Sequence, residues 1–375
     1  MSHLYLHIPF CKQACHYCDF HFSTSLKNRK EVLSAMMKEM VIRKNELEEK
    51  NLATIYFGGG TPSQLSVDEL KFIFDEIDKQ FTISPQAEIT LESNPDDLSA
   101  KYLRELRGTP INRLSIGIQS FRDEDLKLMN RAHTAKEAES VVMRAQDNGF
   151  ENLTVDLIYG IPGLDEGAWK SNLEKVNHLG VQHLSCYCLT VEPKTALAKF
   201  VKDGKISPVD EALASAHFHQ LTMFAKENGF EQYEISNFAK KNFIAKHNSS
   251  YWFGESYLGI GPSAHSFDGT SRRWNISNNT AYVHRIASNE KTFEEETLNE
   301  NEKFNEFIMT RLRTMWGISK NDLKNKFNES FTTHFLQEVE KWISSGDMQL
   351  ISDTFSLTEQ GKLLADRIAS DLFVV

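Results

Sequence analysis

The sequence predicts an α/β fold: a largely parallel sheet with helices packed outside it, joined to a smaller C-terminal α+β module. Three observations carry that expectation. Short apolar runs alternate with helical periodicity six times in the first 190 residues, the pattern of strand–helix units in a parallel sheet. Polar, glycine-rich sequence follows one strand after another, as a shared site at the carboxyl ends of parallel strands requires. From about Asn299 the order becomes helix, "GIS", short helix, longer helix, strand pair across "MQLISDTFSLT", final helix, the order of a winged-helix module.

Strands are expected at 4–8, 54–57, 87–91, 113–118, 153–158 and 183–189, with helices near 29–49, 66–79, 98–107, 122–130, 135–148 and 166–179. Ser66 with Glu69 three residues on makes a capping box, Ser99 is a second N-cap, and Gly149 and Gly180 are C-terminal stops. Six units fit an open, incomplete (β/α) barrel or a doubly wound sheet, and periodicity alone does not separate these. The expected organisation is a barrel over 1–240, an aromatic, glycine-rich connecting segment over 241–298, and the winged-helix-like module over 299–375.

Hydrophobic residues make up 40% and charged residues 25% of the 375, enough for a sizeable core. The net charge of −10 argues against a general polyanion binder, because phosphate contacts dominate non-specific nucleic-acid affinity. Lys and Arg do not outnumber Asp and Glu within 299–375, so a lid or docking role is expected there rather than DNA binding. No apolar run approaches the roughly 18 residues of a membrane span, and no signal peptide is read. Five cysteines, three of them clustered, fit a reducing cytoplasm better than a disulfide framework.

The cluster is "YLHIPFCKQACHYCDF", with Cys11, Cys15 and Cys18 spaced C-x3-C-x2-C after the first strand. Such a loop can wrap a compact inorganic object, and thiolates suit zinc or an iron–sulfur cluster. A closed zinc site needs a fourth ligand, for which His7, His16 and His21 are available; three unrelated thiols are the bland alternative. Later strands lead into "GGGTP" at 58–62, "LESNPDD" with Glu92, Gln119, and Asp156 before "YGIPG". Taken singly, residues 58–60 fit a tight turn, Glu92 and Asp156 solvated or capping carboxylates, and Arg131 a surface ion pair.

The cysteine stretch resembles the signature of the radical S-adenosylmethionine (SAM) superfamily, which implies a [4Fe–4S] cluster with one open iron, SAM, and a partial (β/α)6 barrel. With "YFGGGTPS", "ESNPD", "SIGIQSF", "MNRAH", "DLIYGIPG" and "EISNFA", the resemblance narrows to oxygen-independent coproporphyrinogen III oxidases and their HemW-type relatives. It implies that Cys11, Cys15 and Cys18 bind the cluster, with Tyr5 and Tyr17 flanking it. Gly59, Gly60 and Thr61 would meet the methionine end of SAM, and Glu92, Gln119, Arg131 and Asp156 would form a polar wall around it.

Three departures from the oxidases favour the HemW-type branch of heme chaperones. Phe20 stands where they usually carry a fourth cysteine, they have a long segment ahead of the motif, and "HNSSYW" at 247–252 matches the branch's H-N-x-x-Y-W. The branch implies heme as cargo, heme-acceptor proteins that include membrane-associated respiratory proteins, and a cytoplasmic location with peripheral membrane contact. His247, Tyr251 and Trp252 are the heme-binding candidates, since imidazole ligates heme iron and aromatic rings stack on porphyrin; a packed core histidine is the duller reading. His265 is a second candidate. Cys186 and Cys188 share one face of a strand and read as core thiols or a heme thiolate. The enzyme alternatives are oxidative decarboxylation of coproporphyrinogen III, with the adenosyl radical taking a propionate β-hydrogen, and radical chemistry on another substrate.

Overall fold

A computed structural model describes residues 2–375. Six strands appear in the expected places: β1 (Ser2–Ile8), β2 (Asn51–Gly59), β3 (Thr82–Ser93), β4 (Arg113–Gln119), β5 (Asn152–Tyr159) and β6 (His183–Cys188). Between them run α1 (Arg29–Arg43), α2 (Val67–Gln80), α3 (Ala100–Leu106), α4 (Asp123–Leu128), α5 (Ala135–Asp147) and α6 (Glu166–His178). Then follow α7 (Ala196–Lys202), α8 (Glu211–Glu227), β7 (Phe230–Glu234), β8 (Asn237–Lys240) and α9 (Lys246–Phe253). The Ser66–Glu69 capping box forms as expected.

β1 to β6 pair in chain order, all parallel. They do not close on one another. β6 pairs antiparallel with β8, and the outer edge of β1 is taken by β9 (Tyr257–Ile260), which runs parallel to it. The result is a partial (β/α)6 barrel rather than a doubly wound sheet, whose strand order would reverse at a switch point.

Residues 241–298, expected as a connecting segment, supply α9 and then extend this sheet. After β9 come β10 (His265–Phe267), β11 (Ser271–Asn275), α10 (Asn279–Ala287) and β12 (Phe293–Thr297). Leu258 and Ile260 are fully buried beside β1, which is why the segment is sheet rather than linker. Glu39 of α1 anchors the extension from beneath. Its carboxylate accepts from Arg43 (2.7 Å), Asn275 Nδ2 (2.7 Å), Gly261 N (2.8 Å) and the Tyr282 hydroxyl (2.5 Å).

Side chains alternate along each barrel strand. Leu4, Leu6, Ile55, Phe57, Ile89, Leu91, Leu114, Ile116, Val155 and Leu157 join the core beneath the helices. The intervening residues turn inward and are polar. At the floor His3, Thr54, Arg113, Thr154 and His183 are hydrogen-bonded from strand to strand.

The C-terminal module comprises α11 (Glu300–Leu312), β13 (Ile318–Ser319), α12 (Lys320–Lys326), α13 (Glu329–Ser344), β14 (Met348–Ile351), β15 (Thr354–Leu357) and α14 (Ala365–Asp371). It has its own core around Phe304, Phe335 and Phe355 and a separate sheet in the order β13-β15-β14. It docks on the barrel through Met315 N to Tyr233 O (3.0 Å) and Ile235 N to Arg313 O (3.0 Å), with Trp316 against Phe253 of α9. Among the described residues no helix is long and apolar enough to cross a membrane.

Candidate functional site

The carboxyl ends of β1 to β6 open into a cavity of about 760 Å³. The loop after β1 brings Cys11, Cys15 and Cys18 to its wall, and that loop is held in a frame. Gln13 Nε2 donates to Asn130 O (2.6 Å), Asn130 Nδ2 to Ala14 O (2.7 Å), and His16 Nδ1 to Leu128 O (2.8 Å). The "MNRAH" turn between α4 and α5 thus serves as the cysteine loop's seat.

Tyr17, Gly59, Gly60, Thr61, Glu92, Gln119, Arg131 and Asp156 line the same cavity. Tyr5 does not; it lies behind Gly58, stacked on Tyr56 with ring centres 6.0 Å apart. Glycine is required at position 60, where a Cβ would fall within 2.9 Å of the Ile8 and Phe10 backbone. The left-handed φ of 69° at Gln119, a non-glycine residue, marks backbone held out of its ordinary range at the mouth of the site.

Burial pushes the Cys11 and Cys18 thiols up to about 11, so a cation or metal group is needed to hold them as thiolates near neutral pH. Donors already face them: the Thr61 hydroxyl reaches Cys11 Sγ at 3.2 Å and the Arg131 guanidinium reaches Cys15 Sγ at 3.3 Å. Among the described residues no three His, Cys, Asp or Glu side chains converge as the ligands of one metal ion do. Three thiols on the wall of a wide cavity fit an iron–sulfur cluster better than a closed zinc site.

Arg131 also donates to Asn94 Oδ1 (2.7 Å) and Gly117 O (2.6 Å), yet its buried Nε has no partner in the described residues. An unmatched buried donor beside this cavity fits an anionic ligand group there. Asp156 accepts from Ser115 (3.2 Å), and burial raises its carboxyl. Glu92 accepts from the Tyr56 hydroxyl (2.7 Å). Burial, with Asp156 nearby and against the Tyr56 hydrogen bond, raises Glu92 from its ordinary 4.5 to about 7.

A carboxyl raised on folding contributes stability fully below 4.5 and loses it as the pH climbs through about 7. The Glu92→Gln variant lacks that loss, and Gln keeps an acceptor for Tyr56. Its urea midpoint relative to wild type, measured on ligand-free protein, should therefore be higher at about pH 8 than at about pH 5. An equal difference at both pH values would contradict this coupling.

The H-N-x-x-Y-W residues lie elsewhere. His247 is 1% exposed at the floor of the barrel. Its Nδ1 bonds Thr54 Oγ1 (2.6 Å), its Nε2 bonds the Tyr251 hydroxyl (2.8 Å), and its ring stacks on Tyr56 at 4.9 Å. Tyr251 and Trp252 line a second cavity of about 910 Å³, with Tyr5, His7, His21 and His265. Asp19, Phe20, Phe22, Gly59 and Glu92 border both cavities, which adjoin. The two strand cysteines differ: Cys186 is buried in the core, whereas Cys188, at the end of β6 where pairing stops, is exposed on the first cavity.

Sequence reasoning passed over Tyr56, Asn94, Ser115 and Tyr187. Tyr56, Asn94 and Ser115 sat within quoted motifs, and period-two alternation from Asp156 and Glu92 could have found the inward-facing residues of neighbouring strands.

The chain matches the family model "Radical SAM superfamily" over residues 5–176 and "HemN C-terminal domain" over 298–364. It is 35% identical over 375 residues to "Heme chaperone HemW" of Bacillus subtilis, covering 98% of each chain. It is 32% identical to the protein of that name from Lactococcus lactis, covering 97% and 95%. The solved coproporphyrinogen III oxidase (HemN) of Escherichia coli, at 22% identity, superposes with a TM-score of 0.86, covering all of this chain and 90% of that one, which shows a common fold. With end-to-end relatives above 30% identity and the radical SAM barrel in place, this chain belongs to the HemW family of the radical SAM superfamily.

Proposed function

We propose that this protein is a heme chaperone: it holds a [4Fe–4S] cluster and SAM in the first cavity, binds heme beside them, and hands heme to acceptor proteins. The observation that carries this reading is its end-to-end likeness to proteins named as heme chaperones. Phe20 supports it too: 70% exposed between the two cavities, it presents a ring where the related oxidases usually have a thiol.

Cys11, Cys15 and Cys18 would hold the cluster, and Tyr17 would close one side of it. A cluster with one open iron supplies an electron and a coordination position for the amino and carboxylate groups of SAM. The chain's own part is to bind and orient. Thr61 and Arg131 stabilise thiolates by donating to sulfur, Gly59 and Gly60 bring backbone to the ligand, and the free Nε of Arg131 offers a donor to a carboxylate. Glu92, Gln119 and Asp156 supply the polar wall, and Tyr5 supports it from behind. Tyr251 and Trp252 would form the heme wall, with His247 fixing Tyr251 from beneath. The acceptors would be membrane-associated respiratory proteins met from the cytoplasm.

Titrating heme into the purified protein should give a Soret shift that saturates near one equivalent per chain. A shift no larger than that of an unrelated bystander protein would end the chaperone reading. An anaerobic assay with reduced cluster, SAM and coproporphyrinogen III should give no protoporphyrinogen IX, and formation of that product would replace the chaperone by a decarboxylase.

A further inference from the structure

We propose that heme seats in the second cavity with His265 as its axial ligand and Arg272 as the partner of a propionate. This placement rests on the heme-chaperone reading and says where on the chain the cargo is held. The cavity measures about 910 Å³, within the range that takes drug-sized ligands and cofactors. Tyr251, Trp252, Tyr257 and Phe267 give it the flat apolar walls that suit a macrocycle.

Three imidazoles line it, in different states of engagement. His7 is buried, with Nε2 donating to His21 O at 3.0 Å and Nδ1 in reach of the Tyr5 hydroxyl at 3.3 Å. His21 has Nε2 tied to Asn279 Oδ1 at 2.8 Å. His265 is exposed, rests against the Trp274 ring, and has no side-chain hydrogen bond to the described residues. Partial burial and the nearby Arg272 guanidinium push its imidazole down, which keeps it neutral with a free lone pair. His247, by contrast, has both ring nitrogens occupied beneath the cavity, and ligating iron would require breaking one of those bonds in a buried site.

Two donors complete the site. Arg272 lies on the cavity, paired with Glu306 through one terminal nitrogen; the guanidinium has five N–H groups in a planar fork, so capacity for a carboxylate remains. Trp252 also lines the cavity, and its buried indole Nε1 has no acceptor in the described residues. An arginine and an orphaned indole N–H on one cavity are donors that incoming propionates can satisfy.

The test is optical titration of wild type, His265→Ala and Arg272→Gln with heme, heme dimethyl ester and iron-free protoporphyrin IX. His265→Ala should lose the wild-type Soret position and weaken heme about tenfold or more, yet bind protoporphyrin IX as wild type does; added imidazole should restore the band. Arg272→Gln should weaken heme about tenfold and leave the dimethyl ester unaffected, the size expected for a charge-assisted hydrogen bond. A wild-type Soret band in His265→Ala, or equal weakening of heme and its dimethyl ester by Arg272→Gln, overturns the placement alone. A wild-type protein that binds no heme overturns the chaperone reading with it.

Discussion

Changing Cys11, Cys15 or Cys18 to serine is expected to abolish iron and sulfide binding while leaving the fold near its native stability. The three thiols share one cavity wall, and none belongs to the apolar core. Each is partly exposed on the wall of an open cavity, so a thiol-to-hydroxyl change there should shift unfolding by about 0.5 kcal/mol. Their chemistry is another matter, because serine is a poor ligand for iron in a sulfide cluster. The check is iron and acid-labile sulfide per chain in anaerobic preparations, alongside urea unfolding of the metal-free proteins. A single variant that keeps the full complement, or wild type that carries zinc instead, would remove the cluster from this site.

The largest effect on stability is expected at Glu39→Ala. Glu39 is fully buried and Arg43 is 4% exposed. The carboxylate answers Arg43, Asn275, Gly261 N and Tyr282, and Arg43 also donates to Gly259 O (3.1 Å) and Ser266 Oγ (2.9 Å). Removing Glu39 leaves Arg43 with only the part-exposed carboxylate of Glu46 (3.0 and 2.9 Å) and strips Asn275, Gly261 N and Tyr282 of an acceptor, which costs about 3 kcal/mol. The pair stitches α1 to the sheet extension, so the loss should be seen in global unfolding. Because a desolvated pair is itself expensive, the double change Glu39→Met with Arg43→Met should recover a large part of it. A Glu39→Ala urea midpoint within experimental error of wild type would show that the network is dispensable.

Much of this was legible because it is local. Capping residues and alternating apolar positions put α2 and the six barrel strands within a few residues of where they lie. β3 starts earlier than expected, at Thr82, since Pro85 reads as a strand breaker. The sheet absorbs it by a shift in register, with Leu52 opposite Ile83 but Thr54 opposite Glu88. β9 to β12 were missed because strands of three to five residues carry too few alternations to register. The ring of residues at the first cavity was visible as a set of motifs at strand ends. The second cavity was not, because Tyr5, Trp252, Arg272 and Glu306 meet there from four distant parts of the chain. The depth of His247 was hidden as well: a motif gives residue types, whereas burial depends on what α9 is pressed against.

Glu306 and Thr310 of α11 supply one wall of that second cavity, and α11 belongs to the module clasped to the barrel by the Tyr233–Met315 and Ile235–Arg313 backbone pairs. On the placement proposed above, heme would touch the barrel and the C-terminal module at once, so a partner that grips the module would stand within reach of the cargo.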